Sequence, residues 1–146
     1  MVTSGIAERA ELALRVPLAD ALGCRVIDAE RPDARVEFPV VGLASNGAGG
    51  LHAAALAAAM ELAAYLAVAP TLATGEHAVT HASALQLIGV AHAGEQVRVR
   101  AQLERRGRNI AFTTVTAHVE QRLIARAQLT KSIVAADGSF NATPSA

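Results

Sequence analysis

The sequence predicts an α+β domain in which one long apolar helix is covered by a six-stranded antiparallel sheet. Residues 51–68 contain only three polar side chains, so they should form a helix that is apolar on all sides and therefore buried. Before and after this helix, apolar and polar residues alternate with a period of two, which is typical of strands that bury one face. Short turn sequences separate these strands. Antiparallel strands that share one helix make an α+β domain.

Composition and charge favour a single domain, residues 1–146, that associates with copies of itself. Thirteen basic and thirteen acidic residues cancel, so we expect no nucleic acid and no anionic membrane as a partner. Hydrophobic residues make up 52% of the chain, and a small domain this apolar often has an interface to hide. This predicts a homodimer or a pair of homodimers. The single cysteine fits the reducing conditions of the cytoplasm.

The first 22 residues are predicted to be an N-terminal helical segment. Helical spacing of apolar residues covers about 5–22, where Pro17 begins a second short helix that Gly23 ends. A period of two then predicts two strands, "CRVIDAE" and "RVEFPV", joined by a turn at "ERPDA". In the second strand, one face carries Val36, Phe38 and Val40, and the other carries Arg35, Glu37 and Pro39.

The long helix is predicted to end before Pro70, and four further strands follow it. They cover about residues 78–90, 95–105, 110–120 and 122–134, with turns at "HAGE", "RRGRN" and "EQR". The clearest is "QVRVRAQLE", whose inward positions are Val97, Val99, Ala101 and Leu103. The last eleven residues, 136–146, form a turn-like tail that we expect to fray.

The pairing of sheet and helix predicts a particular architecture. A sheet with one apolar face needs a cover, and residues 51–68 are the only helix long enough to provide it. One curved sheet can wrap only part of a helix that is apolar all round, so the rest should meet a second subunit. A long helix wrapped by a curved antiparallel sheet is the arrangement called the hotdog fold.

The stretch "NGAGGLHAAALAAAMELA" resembles the signature of the PaaI-type hotdog acyl-CoA thioesterases. In that signature an Asn and a glycine-containing loop precede a His that opens the helix, and an acid follows nine residues later. Asn46, His52 and Glu61 occupy these positions here, with Gly50 in the loop. The segments "AVTHASALQLIGVAHAGE" and "GRNIAFTTVTAHVEQRLIARAQLTK" also resemble the family, so the likeness covers roughly residues 20–133. Alanines after the His and a Glu in place of Asp resemble a branch that includes the C-terminal domain of YiiD.

The resemblance implies an acyl-CoA thioesterase that needs no metal or other cofactor, because coenzyme A belongs to the substrate and water is the second reactant. Glu61 would act as a general base on water or attack the thioester carbon itself. Asn46 would orient the water or the carbonyl group. Thr80 falls where the family often has a hydroxyl group, and it would hold the water in line with Glu61.

Five further residues are predicted to bind the substrate. His52 and Gly50 would line the site, and Arg106 and Arg108 in the basic turn "ERRGRN" would meet the phosphates of coenzyme A. The first turn of a helix leaves backbone N–H groups unpaired and carries partial positive charge. The N–H of Ala53 could therefore stabilise the oxyanion that forms on the thioester carbonyl.

Helix geometry predicts that the site is shared by two chains. Glu61 follows His52 by nine residues, which places the two side chains about half a turn apart around the helix axis. They cannot serve one site within a single helix. If two copies of the helix pack antiparallel across a dimer axis, Glu61 of one copy approaches the N–H of Ala53 of the other.

Other interpretations of the same residues remain open at this point. Glu61 could be solvent-exposed, His52 could cap the helix, Asn46 could build a turn, and Thr80 could simply favour a strand. The chain could instead hydrate or dehydrate an acyl thioester, or bind acyl-CoA without cleaving it. A metal site is not expected, because no cysteine or carboxylate stands at ligand spacing from His77, His81, His92 and His118.

Overall fold

The computed structural model describes residues 2–27 and 33–136, which form three helices and six strands. In chain order the elements are α1 (Val2–Leu14), α2 (Pro17–Ala21), β1 (Arg25–Val26), β2 (Ala34–Pro39), α3 (Ala53–Val68), β3 (Glu76–Leu87), β4 (Gln96–Arg106), β5 (Ile110–Val119) and β6 (Arg122–Ala135). Short 3-10 turns cover Gly42–Ala44 and Ala69–Thr71. The predicted tail after Ala136 and most of the predicted turn "ERPDA" lie outside the described residues.

The six strands form one antiparallel sheet in the order β1-β2-β4-β5-β6-β3, which confirms the predicted α+β arrangement. Consecutive strands β4, β5 and β6 are joined by tight turns, as the turn sequences indicated. The strand that follows α3 instead crosses to the far side of β6. As a result β3, twelve residues long, is an edge strand of the sheet.

Helix α3 packs across one face of the sheet, mainly against β2, β4 and β5. Its buried side chains recur with helical spacing and form one stripe: Ala55, Leu56, Ala59, Met60, Ala63, Ala64, Ala67 and Val68. Most of these are alanines, so the helix backbone can approach the sheet closely. The segment Ala53–Thr71 is apolar enough to cross a membrane by length and composition, with a mean hydropathy of 1.6, but 61% of it is buried inside the chain. That is the burial of a core helix.

One side of α3, next to the stripe that packs on the sheet, is only partly covered. Its residues are half-buried: Ala57, Ala58, Glu61, Leu62, Tyr65 and Leu66. Part of the cover comes from α1 and α2, which contact α3 from the N-terminal segment. The Arg9 guanidinium fixes α1 in place, because it donates to the carbonyl oxygens of Ala73 at 3.1 Å and Glu76 at 3.3 Å.

Glu37 shows how an acidic residue is buried on the outer face of this sheet. The period of two placed it opposite Val36 and Phe38, and the structure agrees, yet its side chain is only 4% exposed. The guanidinium groups of Arg25 and Arg98 both pair with its carboxylate. Alternation of residue types reports only the face from which a side chain projects, so it does not reveal this pairing.

Candidate active site

Glu61 is held by two side chains from the neighbouring sheet. Thr80 on β3 donates its hydroxyl to Oε2 of Glu61 at 2.5 Å, and Nζ of Lys131 on β6 lies 2.5 Å from the same oxygen. The Lys131 ammonium also donates to Oγ1 of Thr80 at 2.8 Å. We call Glu61, Thr80 and Lys131 the carboxylate cluster. Each member contacts both of the others, so the three side chains fix one another.

Strand pairing brings the cluster together. Thr80 on β3 is the register partner of Lys131 on β6, and residues that face each other across an antiparallel pair project from the same side of the sheet. That side is the one on which α3 lies. The register between β3 and β6 shifts between Thr80 and Ala82, so the irregularity in β3 lies next to the cluster.

The cluster leaves one oxygen of Glu61 free for chemistry. Both contacts reach Oε2, and within residues 2–27 and 33–136 no hydrogen bond is made to Oε1. The Lys131 side chain is 4% exposed and that of Glu61 is 32% exposed, so the ammonium is buried and the carboxylate reaches the surface. A buried ammonium needs a charged partner, which fixes the orientation of Glu61.

Lys131 was not predicted from the sequence, although a signal for it exists. It is the only lysine in the chain. It also stands in phase with Ala127 and Leu129, two buried positions of β6, so the period of two would have placed it on the inner face. A charged residue on the inner face of a strand calls for an opposite charge nearby.

Asn46 builds its own loop in the structure, and its role in orienting water or a carbonyl group stays a prediction. Its Oδ1 accepts hydrogen bonds from the backbone N–H of Ala48 at 2.8 Å and of Gly50 at 3.0 Å. Its Nδ2 donates to the carbonyl oxygen of Leu51 at 3.2 Å. These are the contacts of a turn residue, so Asn46 positions the segment that leads into α3.

Gly50 likewise shapes the loop, and its contact with substrate stays a prediction. The residue is buried, its N–H is bonded to Asn46, and its carbonyl oxygen accepts from the N–H of Asn46 at 2.8 Å. A Cβ atom here would lie 2.9 Å from the carbonyl oxygen of Ala91. Only glycine allows the two backbone segments to approach so closely.

His52 caps α3 and leaves one backbone donor free. Its Nδ1 accepts from the N–H of Ala54 at 3.0 Å, and its carbonyl oxygen accepts from the N–H groups of Ala55 and Leu56. The N–H of Ala53 makes no hydrogen bond within the described part of the chain, and Ala53 is exposed. The helix therefore presents one unpaired N–H at its positive end, which is the donor that the sequence indicated.

The structure brings Glu61 and Thr80 together but leaves the helix terminus apart from them. Ala53 and Glu61 are eight residues apart on α3, or about 12 Å along the axis. A cleft of about 1200 Å³ lies between α1, α2, α3 and β3 and is lined by the whole carboxylate cluster. Neither Ala53 nor His52 lines this cleft. If Glu61 and the N–H of Ala53 are to act on one substrate, the N–H must therefore come from a second copy of the chain.

Of the two predicted phosphate-binding arginines, Arg106 is the last residue of β4 and Arg108 lies in the turn that leads to β5. Arg106 already donates to Oε2 of Glu76 and to Oγ1 of Thr71, each at 3.2 Å. Arg108 is exposed. Neither residue lines the cleft. Their contact with coenzyme A stays a prediction, and Arg108 is the one whose charge is accessible.

His77 on β3 also lines the cleft, and its environment disfavours the imidazolium form. Burial lowers the pKa of His77 below its usual value, and the positive charges of Arg9 and Lys131 lower it further. The ring lies with its centroid 5.7 Å from that of Tyr65 on α3. His77 thus packs between β3 and α3 as a neutral ring at pH 7.

This lowered pKa predicts an acid-dependent loss of stability. The pKa in the folded state lies below the unfolded value of about 6.5, so the unfolded chain binds the proton more tightly. The contribution of His77 to stability is complete above pH of about 6.5 and is lost as the pH falls through the folded pKa. The free energy of unfolding of His77→Gln should therefore fall less between about pH 7 and pH 5 than that of the wild type. Urea unfolding at a series of pH values measures the difference. Equal slopes in that range would contradict the prediction.

Comparisons with known proteins agree with this fold. The sequence model of the family described as fluoroacetyl-CoA-specific thioesterase, FlK, matches residues 41–137, more than half of the chain. Among solved structures, a thioesterase from Haemophilus influenzae is 21% identical, with a TM-score of 0.80 over 89% of this chain and 90% of that one. The PaaI protein of E. coli is 19% identical, with a TM-score of 0.80 over 92% and 96%.

A phenylacetic acid degradation-related protein from Ralstonia eutropha is 26% identical, with a TM-score of 0.75 over 88% of this chain and 98% of that one. A search of curated protein sequences finds no match. The predicted resemblance to PaaI-type hotdog thioesterases is confirmed, whereas the resemblance to the YiiD branch stays a prediction. The chain belongs to the family of fluoroacetyl-CoA-specific thioesterases and is a thioester hydrolase with the hotdog fold.

Proposed function

We propose that the protein hydrolyses an acyl-CoA at a site formed by two copies of the chain, with Glu61 as the general base. The carboxylate cluster carries this proposal, because it places a fixed carboxylate with one free oxygen on the wall of a large cleft. Water held by Oε1 of Glu61 would lose a proton and attack the thioester carbon. The proton would then pass from Glu61 to the departing sulfur of coenzyme A, which gives a carboxylic acid and a thiol.

The oxyanion donor in this proposal is the N–H of Ala53 from the second copy. It is exposed and unpaired in the described part of the chain, and it lies at the positive end of a sixteen-residue helix. A preorganised donor of this kind stabilises the charge that develops on the carbonyl oxygen. Asn46 and His52 contribute by fixing the conformation of the loop and the first turn.

The exposed edge of the sheet supports the pairing of two chains. The positions from Thr80 to Ala84 on β3 are all exposed, and beyond the half-buried Leu85 three large apolar side chains are more than half exposed: Leu87, Ile88 and Val90. A long exposed edge strand with apolar side chains pairs readily with another strand. Pairing of two β3 strands would bring the half-buried sides of two α3 helices towards each other.

The proposal is tested by the release of free thiol from acyl-CoA esters. A panel should include acetyl, fluoroacetyl, straight-chain and aromatic acyl groups, and the thiol should be followed with a chromogenic reagent. Cleavage of at least one ester with saturation kinetics supports the proposal. Binding of acyl-CoA without cleavage of any ester would instead favour the non-catalytic interpretation. Acyl-carrier-protein thioesters in the same assay show which carrier is preferred.

Lys131 acts in this site as a positioning residue, and its removal tests the cluster. Lys131→Met should lower kcat by about ten- to a hundredfold, because Glu61 loses the contact that fixes its orientation. KM should change little, since the ammonium is buried beneath the carboxylate. The matched control is Arg126→Met, which removes an exposed cation from the outer face of the same strand. Full activity of a folded Lys131→Met variant would show that the cluster does not orient Glu61.

A further inference from the structure

We infer that the cleft walled by α1 and α2 holds the acyl group of the substrate and selects extended, apolar acyl chains. This inference rests on the proposed function, because it takes the reacting carbon to lie at Glu61. The cleft begins at the carboxylate cluster and continues between the N-terminal helices and α3. An acyl group whose carbonyl carbon lies at Oε1 of Glu61 therefore has this space directly next to it.

The lining of the cleft is suited to hydrocarbon. Ala58 and Leu62 line it from α3, and Leu22 lines it from the residue after α2. The N-terminal helical segment adds Leu12, Val16 and Leu18, which are 57%, 52% and 51% exposed. Apolar side chains that are exposed around one concave surface gain free energy when an apolar ligand covers them.

The charges in the cleft disfavour the other half of the substrate. Three carboxylates line it among the described residues, and two of them are already paired, Glu61 with Lys131 and Glu76 with Arg106. The third, Glu8, leaves a negative charge in the lining that would repel the phosphates of coenzyme A. The two cations that line it are already engaged: Arg9 donates to two carbonyl oxygens, and Lys131 pairs with Glu61. The coenzyme must therefore leave the carboxylate cluster in another direction, and the acyl chain is the part that enters the cleft.

The volume of the cleft also favours a long acyl chain. The cleft measures about 1200 Å³, which is above the range of about 300–1,000 Å³ typical of sites for drug-sized ligands. A two-carbon acyl group would leave most of this space to water. The family match begins at residue 41, so α1 and α2, which wall the cleft, lie outside the matched region. Preference for a long acyl chain is thus carried by a part of this chain that the family match does not cover.

The test compares hydrolysis of straight-chain acyl-CoA esters from two to twelve carbons. For the wild type, kcat/KM should rise about three- to fourfold for each added methylene until the cleft is filled. The double variant Leu12→Ser/Leu18→Ser should lose most of this rise, so the ratio of kcat/KM for the twelve-carbon ester to kcat/KM for acetyl-CoA should fall well below that of the wild type. Both side chains are more than half exposed, so the variant should fold. The matched control is Phe112→Ser, which removes an exposed apolar side chain from β5, outside the cleft.

A rise that is absent in the wild type, or unchanged in the double variant, would overturn the inference even if acyl-CoA is hydrolysed. Binding separates this outcome from failure of the proposed function. Calorimetry with Glu61→Gln should show tighter binding of octanoyl-CoA than of acetyl-CoA, and the difference should shrink when Leu12→Ser/Leu18→Ser is added. If this pattern holds while no ester is cleaved by the wild type, the acyl cleft stands and the hydrolytic proposal fails.

Discussion

Replacing Glu61 by Gln should reduce thioester hydrolysis by about 10²- to 10⁴-fold and leave acyl-CoA binding in place. An amide has nearly the shape of the carboxylate, and its oxygen can still accept hydrogen bonds from Thr80 and Lys131. It cannot take a proton from water, and it is not a nucleophile towards a thioester. Steady-state thiol release measures the loss in kcat, and calorimetry with the same ester measures the retained affinity.

Two comparisons make the Glu61→Gln result specific. Glu104→Gln makes the same chemical change at an exposed position of β4, and its activity should equal that of the wild type. Thermal unfolding of Glu61→Gln shows whether the fold survives, because Lys131 keeps its charge and loses an anionic partner. If a folded Glu61→Gln variant hydrolyses acyl-CoA at the wild-type rate, Glu61 is neither the base nor the nucleophile.

The fold could be predicted almost completely because periodicity reports it directly. The predicted helix at 51–68 is observed as Ala53–Val68, and the predicted strand at 95–105 as Gln96–Arg106. In both segments the buried residues follow one period without interruption, so the pattern depends on local geometry alone. Periodicity does not predict the order of the strands, because β3 pairs with β6 rather than with its neighbours in sequence.

The site could be predicted only in part, because its contacts depend on strand register and loop geometry. Thr80 was connected with Glu61 through a family resemblance, and the structure places the two 2.5 Å apart. Lys131 was missed, since its contact with Glu61 spans 70 residues and follows from the alignment of β6 with β3. The amide of Asn46 faces its own loop, and residue type alone does not show where an amide points.

Ala53→Pro should reduce kcat by about 10²- to 10³-fold by removing a single hydrogen-bond donor. Ala53 is the first residue of α3, where proline is well tolerated and where no helical hydrogen bond is lost. The preceding residue, His52, has φ −75° and ψ 128°, an extended conformation that proline permits. The control is Ala53→Gly, which keeps the N–H and should keep the activity. If Ala53→Pro is folded and fully active, another group stabilises the oxyanion.

Mixed dimers of these two inactive variants decide whether the site is shared between chains. A dimer of one Glu61→Gln chain and one Ala53→Pro chain has one site with both defects. Its other site combines an intact Glu61 with an intact Ala53 N–H. Dimers purified through two different affinity tags should therefore regain about half of the wild-type activity, as two-fold symmetry requires. A site contained within one chain would instead leave every site of the mixed dimer defective. Recovery thus requires that the helix terminus of one copy reaches the carboxylate cluster of the other.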